Sequence, residues 1–439
     1  MELFKIIYKA IDGLKKTVDG LLKNMDKALK KQDALLFADG SNVTSYRDLQ
    51  LDILKNLSFE GTTLFMAKPD SIWQFQYGYH DSVDSAGSEL LKSDGYLIKY
   101  KDKPIREFYY PMYDSIDQED LLAVLSLDCA TYMNFKYLFA GYTNLKEVRN
   151  IKRVEGANNI KGMFSGCENL VHIDDFATND ITDMSTTFSG CKKLKKTPKI
   201  DTSKVTNFSC TLQQCGVEFI PGSWSFDEAL AFEWFANGSM IEDITMYAPL
   251  ATTLEYAFHN CEKLTAINIV VDKAIHLDSL CGCCKELKYA SIGFGCTSIN
   301  SSYLFSECEK LEQFEIQTNS STFRVLSYAF FNCRNLKTIS GDISLGNFSG
   351  CYIGDAFTGC YSLENFDGFY FPESNKVVNT YNFSDCPKLT IESMQSIMNR
   401  LNNQQADLIF NTEAFNKLTP EDIAIATNKG WSVMSSHQN

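Results

Sequence analysis

A Phe-x-x-Cys-x-x-Leu phrase recurs along this chain and limits what it can fold into. It reads FSGCENL at Phe164–Leu170, FSGCKKL at Phe188–Leu194, FHNCEKL at Phe258–Leu264 and FSECEKL at Phe305–Leu311. It returns as FFNCRNL from Phe330, FTGCYSL from Phe357 and FSDCPKL from Phe383. With weaker copies included, the Phe slot holds Phe139, Phe164, Phe188, Leu212, Phe235, Phe258, Cys281, Phe305, Phe330, Phe357 and Phe383. The Leu slot holds Leu145, Leu170, Leu194, Glu218, Ile241, Leu264, Leu287, Leu311, Leu336, Leu363 and Leu389. The middle slot is Cys167, Cys191, Cys215, Cys261, Cys284, Cys308, Cys333, Cys360 and Cys386, with Tyr142 and Gly238 as exceptions. A period of about 24 residues is the length of one solenoid coil, and each coil touches only its neighbours.

The slots have a physical reading. Phe closes a short helical or looped segment and fills the core. Cys follows where little room is left, and Leu opens a short strand. Val148, Ile173, Ile267, Phe314, Ile339 and Phe366 stand three residues beyond Leu and continue it. Stacked coils pair such strands into a parallel sheet, and eleven coils at about 4.8 Å each give a rod of roughly 50 Å. The expected fold class is an α/β repeat solenoid over residues 129–389.

Fifteen cysteines in 439 residues are an odd count, mostly one per coil. This is the pattern of buried free thiols packed as small hydrophobes, and it implies folding in a reducing compartment. The CGCC run at Cys281, Cys283 and Cys284 invites a metal reading. Two of its thiols occupy repeat slots, and only His276 lies near, so the reading is a stacked core without metal.

The net charge is −14, the wrong sign for a nucleic-acid partner. No run approaches the ~18 apolar residues of a membrane span. The N-terminal MELFKIIYKAIDGLKK does not read as a secretory signal, because Lys9, Asp12 and Lys15 interrupt it. His80, His172, His259, His276 and His437 stand in no catalytic spacing, and no nucleophile elbow or phosphate loop is present. No catalytic, cofactor or metal residues are therefore expected, although carboxylates brought together by folding are invisible at this level.

Residues 1–36 carry a second pattern. Phe4, Ile7, Ile11, Leu14, Val18, Leu21, Met25, Ala28 and Leu35 fall at alternating steps of three and four when Gln32 is counted. That is a heptad seam, and the expectation is a coiled-coil attachment helix about 50 Å long, pairing with itself as dimer or trimer. Two other arrangements fit the same run: packing on its own chain, or lying in a membrane interface with its eight lysines outward. Residues 37–128 leave the repeat and read as an aromatic-rich shoulder that covers the first coil. There Trp73, Phe75, Tyr77 and Tyr79 alternate as one face of a strand. Residues 390–439 read as a cap. A helix is expected over 391–401, a strand over 408–410, a helix from Pro420 with Thr419 as N-cap, a stop at Gly430, and a strand at Trp431 and Val433.

The repeat, with its DMSTTFSGCKKL phrasing at 183–194, resembles the BspA-type leucine-rich repeats of bacterial surface proteins and phage virion proteins. The closing segment resembles that of repeat proteins encoded by gut phages and bacteria. The resemblance implies a non-enzymatic bacteriophage virion protein of tail- or head-fibre type, assembled in the host bacterial cytoplasm. It implies partners among other virion proteins and a host-surface protein or glycan. Two alternatives are a bacterial adhesin whose signal peptide is missing and a cytoplasmic protein-binding scaffold.

Overall fold

The computed structural model describes residues 135–436 apart from short gaps at 150, 153–158, 177, 179, 318–321, 346–352, 354 and 372–379. Ahead of these it describes four strands, Thr63–Ala67, Ser88–Leu90, Leu97–Tyr100 and Leu121–Asp128. The heptad run of residues 1–36 and the aromatic stretch at 73–79 lie outside the described residues.

The chain winds into a parallel β-solenoid of ten stacked turns. What repeats most strictly is a compact turn with two left-handed residues placed two before and two after the Phe slot. The first column is Tyr137, Gly162, Thr186, Cys210, Trp234, Tyr256, Ser279, Tyr303, Tyr328 and Asp355. The second is Gly141, Gly166, Gly190, Gln214, Gly238, Asn260, Cys283, Glu307, Asn332 and Gly359. Left-handed residues two before and two after the slot bend the chain so that every second N–H leaves the coil. Tyr137, Phe139 and Gly141 donate to Lys161, Met163 and Ser165 of the next coil at 2.8, 2.8 and 2.6 Å. The N–H groups between them turn back three residues, as Ala140 does to Tyr137. Of the helical or looped segment expected before Phe, the structure shows the looped form, because left-handed residues four apart interrupt any α-helix.

The Phe column stacks from coil to coil. Phe139, Phe164 and Phe188 lie 5.6 and 5.8 Å apart, as do Phe330 and Phe357 at 5.8 Å. The sequence register slips by one in the fifth coil. Its backbone bonds put Ala236, not Phe235, at the slot, and Ser239, not Gly238, at the cysteine position. Phe235 still fills the core, edge-on to Phe258 at 85°. In the coil before it Val217 is buried and Glu218 is not, because only the valine can enter an apolar core.

The cysteines have a second role besides volume. Cys167 Sγ donates to Phe139 O at 3.0 Å, Cys284 to Phe258 O at 3.0 Å and Cys308 to Cys281 O at 3.0 Å. Each of these three thiols reaches back to the slot carbonyl of the preceding coil, whereas Cys215 reaches Cys191 O at 3.5 Å. Alanine has no donor for that bond. Burial pushes these thiols up, Cys215 to about 12.

Opposite the turns, strands assemble less regularly. Leu121–Asp128 pairs in parallel with Glu147–Val148 and so joins the antiparallel shoulder to the first coil. The sheet lapses after His172–Ile173 and resumes at Asp243–Tyr247. Pro198 and Pro221 stand in that interval and have no N–H to give a ladder. From there Asp243–Tyr247, Ala266–Val271, Tyr289–Phe294, Gln313–Ile316, Thr338–Ser340 and Asn365–Phe366 form one parallel sheet.

The cap is a three-stranded parallel sheet of Thr380–Phe383, Ala406–Phe410 and Trp431–Ser435. Helix α1, Ile391–Asn399, starts on Thr390, whose hydroxyl accepts the Ser393 N–H. Helix α2 is the short Thr412–Phe415, which the sequence did not suggest. Helix α3, Pro420–Thr427, opens with a reciprocal cap between Thr419 and Asp422. Gly430 turns the chain at φ +93° into the last strand. Phe410 lies under Phe383 at 5.8 Å and continues the ring column into the cap.

Candidate binding face

The first left-handed column points its side chains outward, and five of its ten members are aromatic: Tyr137, Trp234, Tyr256, Tyr303 and Tyr328. A bulky residue there strains the backbone by roughly 1–2 kcal/mol. Stacking across coils offsets part of that, at about 0.5–1.5 kcal/mol per pair. Trp234 and Tyr256 stack at 4.5 Å and 12°, Tyr303 and Tyr328 at 5.1 Å and 8°. Glycine, as at Gly162, would remove that strain. Trp234 is 39% exposed and Tyr303 45%.

Acceptors flank the rings on one side. Glu233, Glu255 and Asp278 each precede a column member. Glu233 Oε2 accepts from Ser209 Oγ at 2.6 Å, and Asp278 Oδ1 accepts the Ser302 N–H at 2.9 Å. Glu255 Oε1 faces His276 Nδ1 at 3.6 Å. On the other side His259 meets Tyr256 edge-on at 5.5 Å, and Phe331 meets Tyr328 at 5.7 Å. A Cβ added to Gly282 would come within 2.9 Å of His259 Cδ2, so the imidazole leans over that glycine. Partial burial holds the His259 pKa below its usual value, leaving the ring neutral near pH 7.

Glu255, His276 and Asp278 bring one ligand atom each within 4.8 Å, and they are the set among the described residues that could share a cation. All three are half-exposed, and one Asp278 oxygen already holds a backbone N–H. The CGCC run forms no such set. Cys281 and Cys284 face the core, and half-buried Cys283 takes the second left-handed position at φ +63°. The fully buried slot thiols are held protonated by desolvation, so they offer no nucleophile at neutral pH. What the face supplies is flat apolar walls beside a row of oxygen acceptors, which is chemistry for binding.

The sequence did carry a signal for this face: the tripeptide Tyr-x-Phe opens four repeats, at Tyr137, Tyr256, Tyr303 and Tyr328. It is easily missed, because the strained geometry of its tyrosine exists only once coils are stacked.

Comparison with known proteins places the fold. Residues 228–353 and 351–419 match the family model described as BspA type leucine rich repeat region, in six copies. Residues 123–229 match the model of a Mycoplasma protein of unknown function, DUF285. Together these matches make residues 228–419 similar to BspA-type leucine-rich repeats. A crystal structure of a leucine rich cell surface protein from Faecalibacterium prausnitzii is similar at 14% identity, over 80% of this chain and 87% of that one, with a TM-score of 0.33. A leucine-rich repeat protein from Bacteroides ovatus is similar at 12% identity, over 83% and 98% of the two chains, with a TM-score of 0.26. No curated protein matches.

Proposed function

We propose that this protein is a non-enzymatic attachment protein: a fibre-type component of a bacteriophage virion, held through residues 1–36, that presents its solenoid for host-surface recognition. The observation that carries the binding role is the exposed ring column, where strained aromatic residues are kept on the surface of a rigid stack. The heptad run supports self-association at the attachment end. The ladder of reduced, buried thiols fits assembly in a bacterial cytoplasm before release.

A second reading, a bacterial surface adhesin, is favoured by the BspA-type match, a class typical of surface and adhesin-like proteins. An antibody to the solenoid separates the two. Labelling of purified virions, with blocking of their adsorption to host cells, is the expected result. Labelling of the intact producing bacterium, with none on virions, overturns the fibre reading and selects the adhesin. Light scattering checks the attachment helix: the full chain is a dimer or trimer, and Ile11→Asp with Val18→Asp in the seam returns it to monomer.

A further inference from the structure

Beside the ring column, one row of side chains breaks its own rule. Three residues before each member of that column, single parallel bridges join the coils: Asp183 to Asn207, Thr253 to His276 and His276 to Asn300 among them. Where this row holds Asn or Asp, the side chain closes a small loop by accepting the N–H two residues on. Asn159 accepts from Lys161 at 2.8 Å, Asp183 from Ser185 at 2.9 Å and Asn207 from Ser209 at 3.0 Å. Asn300 does not. The Ser302 N–H goes instead to Asp278 Oδ1 of the preceding coil, at 2.9 Å. Asn300 Oδ1 is left buried with no hydrogen-bond partner. A buried acceptor in that state is costly, and it calls for a donor or a cation as its partner.

The groups gathered around it have metal-ligand chemistry. Glu255 Oε1 lies 3.6 Å from His276 Nδ1, and Glu255, His276 and Asp278 offer one ligand atom each within 4.8 Å of one another. Donors around a tetrahedral zinc ion stand about 3.3–3.5 Å apart, from bonds of ~2.0–2.2 Å. The Glu255–His276 pair is already close to that spacing, and rotation of half-exposed side chains closes the rest. His276 and Glu255 are 43% and 39% exposed in their side chains, so an ion reaches them from solvent. Asp278 is fixed through one oxygen by the Ser302 N–H, which leaves its other oxygen for a metal. Ligating carboxylates are commonly oriented by such a hydrogen bond.

We propose that Glu255, His276, Asp278 and Asn300 form a site for one divalent cation of the zinc type. The proposal stands independently of the attachment reading. The imidazole selects the class. It suits zinc and its transition-metal neighbours, whereas calcium takes about six to eight oxygens and finds fewer in this set. The two carboxylates match the double charge of the ion. Glu255 precedes Tyr256 in one coil, His276 and Asp278 precede Ser279 in the next, and Asn300 precedes Tyr303 in the one after. One ion therefore clamps three successive coils. It also relieves the repulsion between two neighbouring carboxylates on a chain of net charge −14.

The test takes the full-length protein, stripped with a chelator under reducing conditions, and titrates it with zinc chloride by calorimetry. A single equivalent should bind at micromolar concentration or below and should raise the thermal midpoint by mass action. His276→Thr and Glu255→Ser carry the residues that Thr253 and Ser209 already place in the same two rows, so both should fold with an unchanged metal-free midpoint. Each should weaken binding by at least the ~10–100-fold typical of losing a supporting residue, and should abolish the midpoint shift. Asn300→Ala should weaken binding less, by several-fold. Cobalt(II) in place of zinc reports the donors: visible bands without thiolate charge transfer in the near ultraviolet are expected. No uptake, unchanged affinity in any of the three variants, or a thiolate band, which would assign the ion to cysteine, overturns the proposal.

Discussion

The two long sides of the solenoid obey different rules. On the turn side ten coils repeat the same handedness pattern, the same outgoing N–H groups and a near-constant ring-and-thiol pair. Away from the turns strands range from two residues at Asn365–Phe366 to six at Ala266–Val271, and between Ile173 and Asp243 pairing thins to single parallel bridges such as Asp183 with Asn207 and Asn207 with Ala231. Continuity of the stack therefore lives in the turns. A strand needs only backbone pairing and an inward apolar residue, so many sequences serve. The turn needs tolerance of left-handed backbone at two sites, a flat ring and a small donor, so few do.

This contrast can be broken most forcefully through all the thiols at once. Nine slot cysteines are buried, and desolvation raises their folded pKa above the unfolded value. The folded chain then holds protons that the unfolded chain loses, so stability is intact below about pH 8.5 and falls as pH rises beyond it. The fall is up to about 1.4 kcal/mol per pH unit for each thiol. A urea series at pH 7, 9 and 10 should show the midpoint collapsing, and a flat profile would mean the thiols are not buried as described. Next in size, Phe188→Ala in the turn column should lose about 3–5 kcal/mol, and Ile267→Ala on the sheet side about 2–5 kcal/mol. If the sheet variant is the more damaging, the turns are not the continuous element. Cys308→Ala should lose about 1 kcal/mol through the missing bond to Cys281 O, and Cys308→Ser, which keeps a donor, should lose less. The reverse order would reduce the cysteine to a volume filler. The smallest effect belongs to the rim. Lys192→Ala removes an exposed ion pair to Glu168 of the preceding coil and should shift stability by less than about 1 kcal/mol.

Legibility in the sequence follows the same division. The Phe, Cys and Leu slots were readable because each is a buried site with a fixed volume, repeated often enough to stand out. The cap was readable because Thr419, Asp422 and Gly430 carry local backbone chemistry. The fifth coil reads one residue off in the sequence because Phe235 is the large apolar residue beside the slot, and only the inter-coil bonds choose Ala236. The ring column escaped notice for another reason. Its members are exposed, so burial does not constrain them, and Glu255, His276 and Asp278 meet only through stacking.

The outgoing N–H groups of the turns all face one way, from each coil toward the next, from Tyr137 to Asn332. A stack built like this has a donor end and an acceptor end, as a filament does, and any coil left bare at the donor end is a template for the acceptor edge of another molecule. Asp385 stands at that end and takes the Gly359 N–H on its carboxylate at 2.8 Å. The cap covers the rest of that end, with Phe383 stacked on Phe357 and Phe410 under Phe383, so the stack is closed there by a side-chain acceptor and by a small sheet of its own.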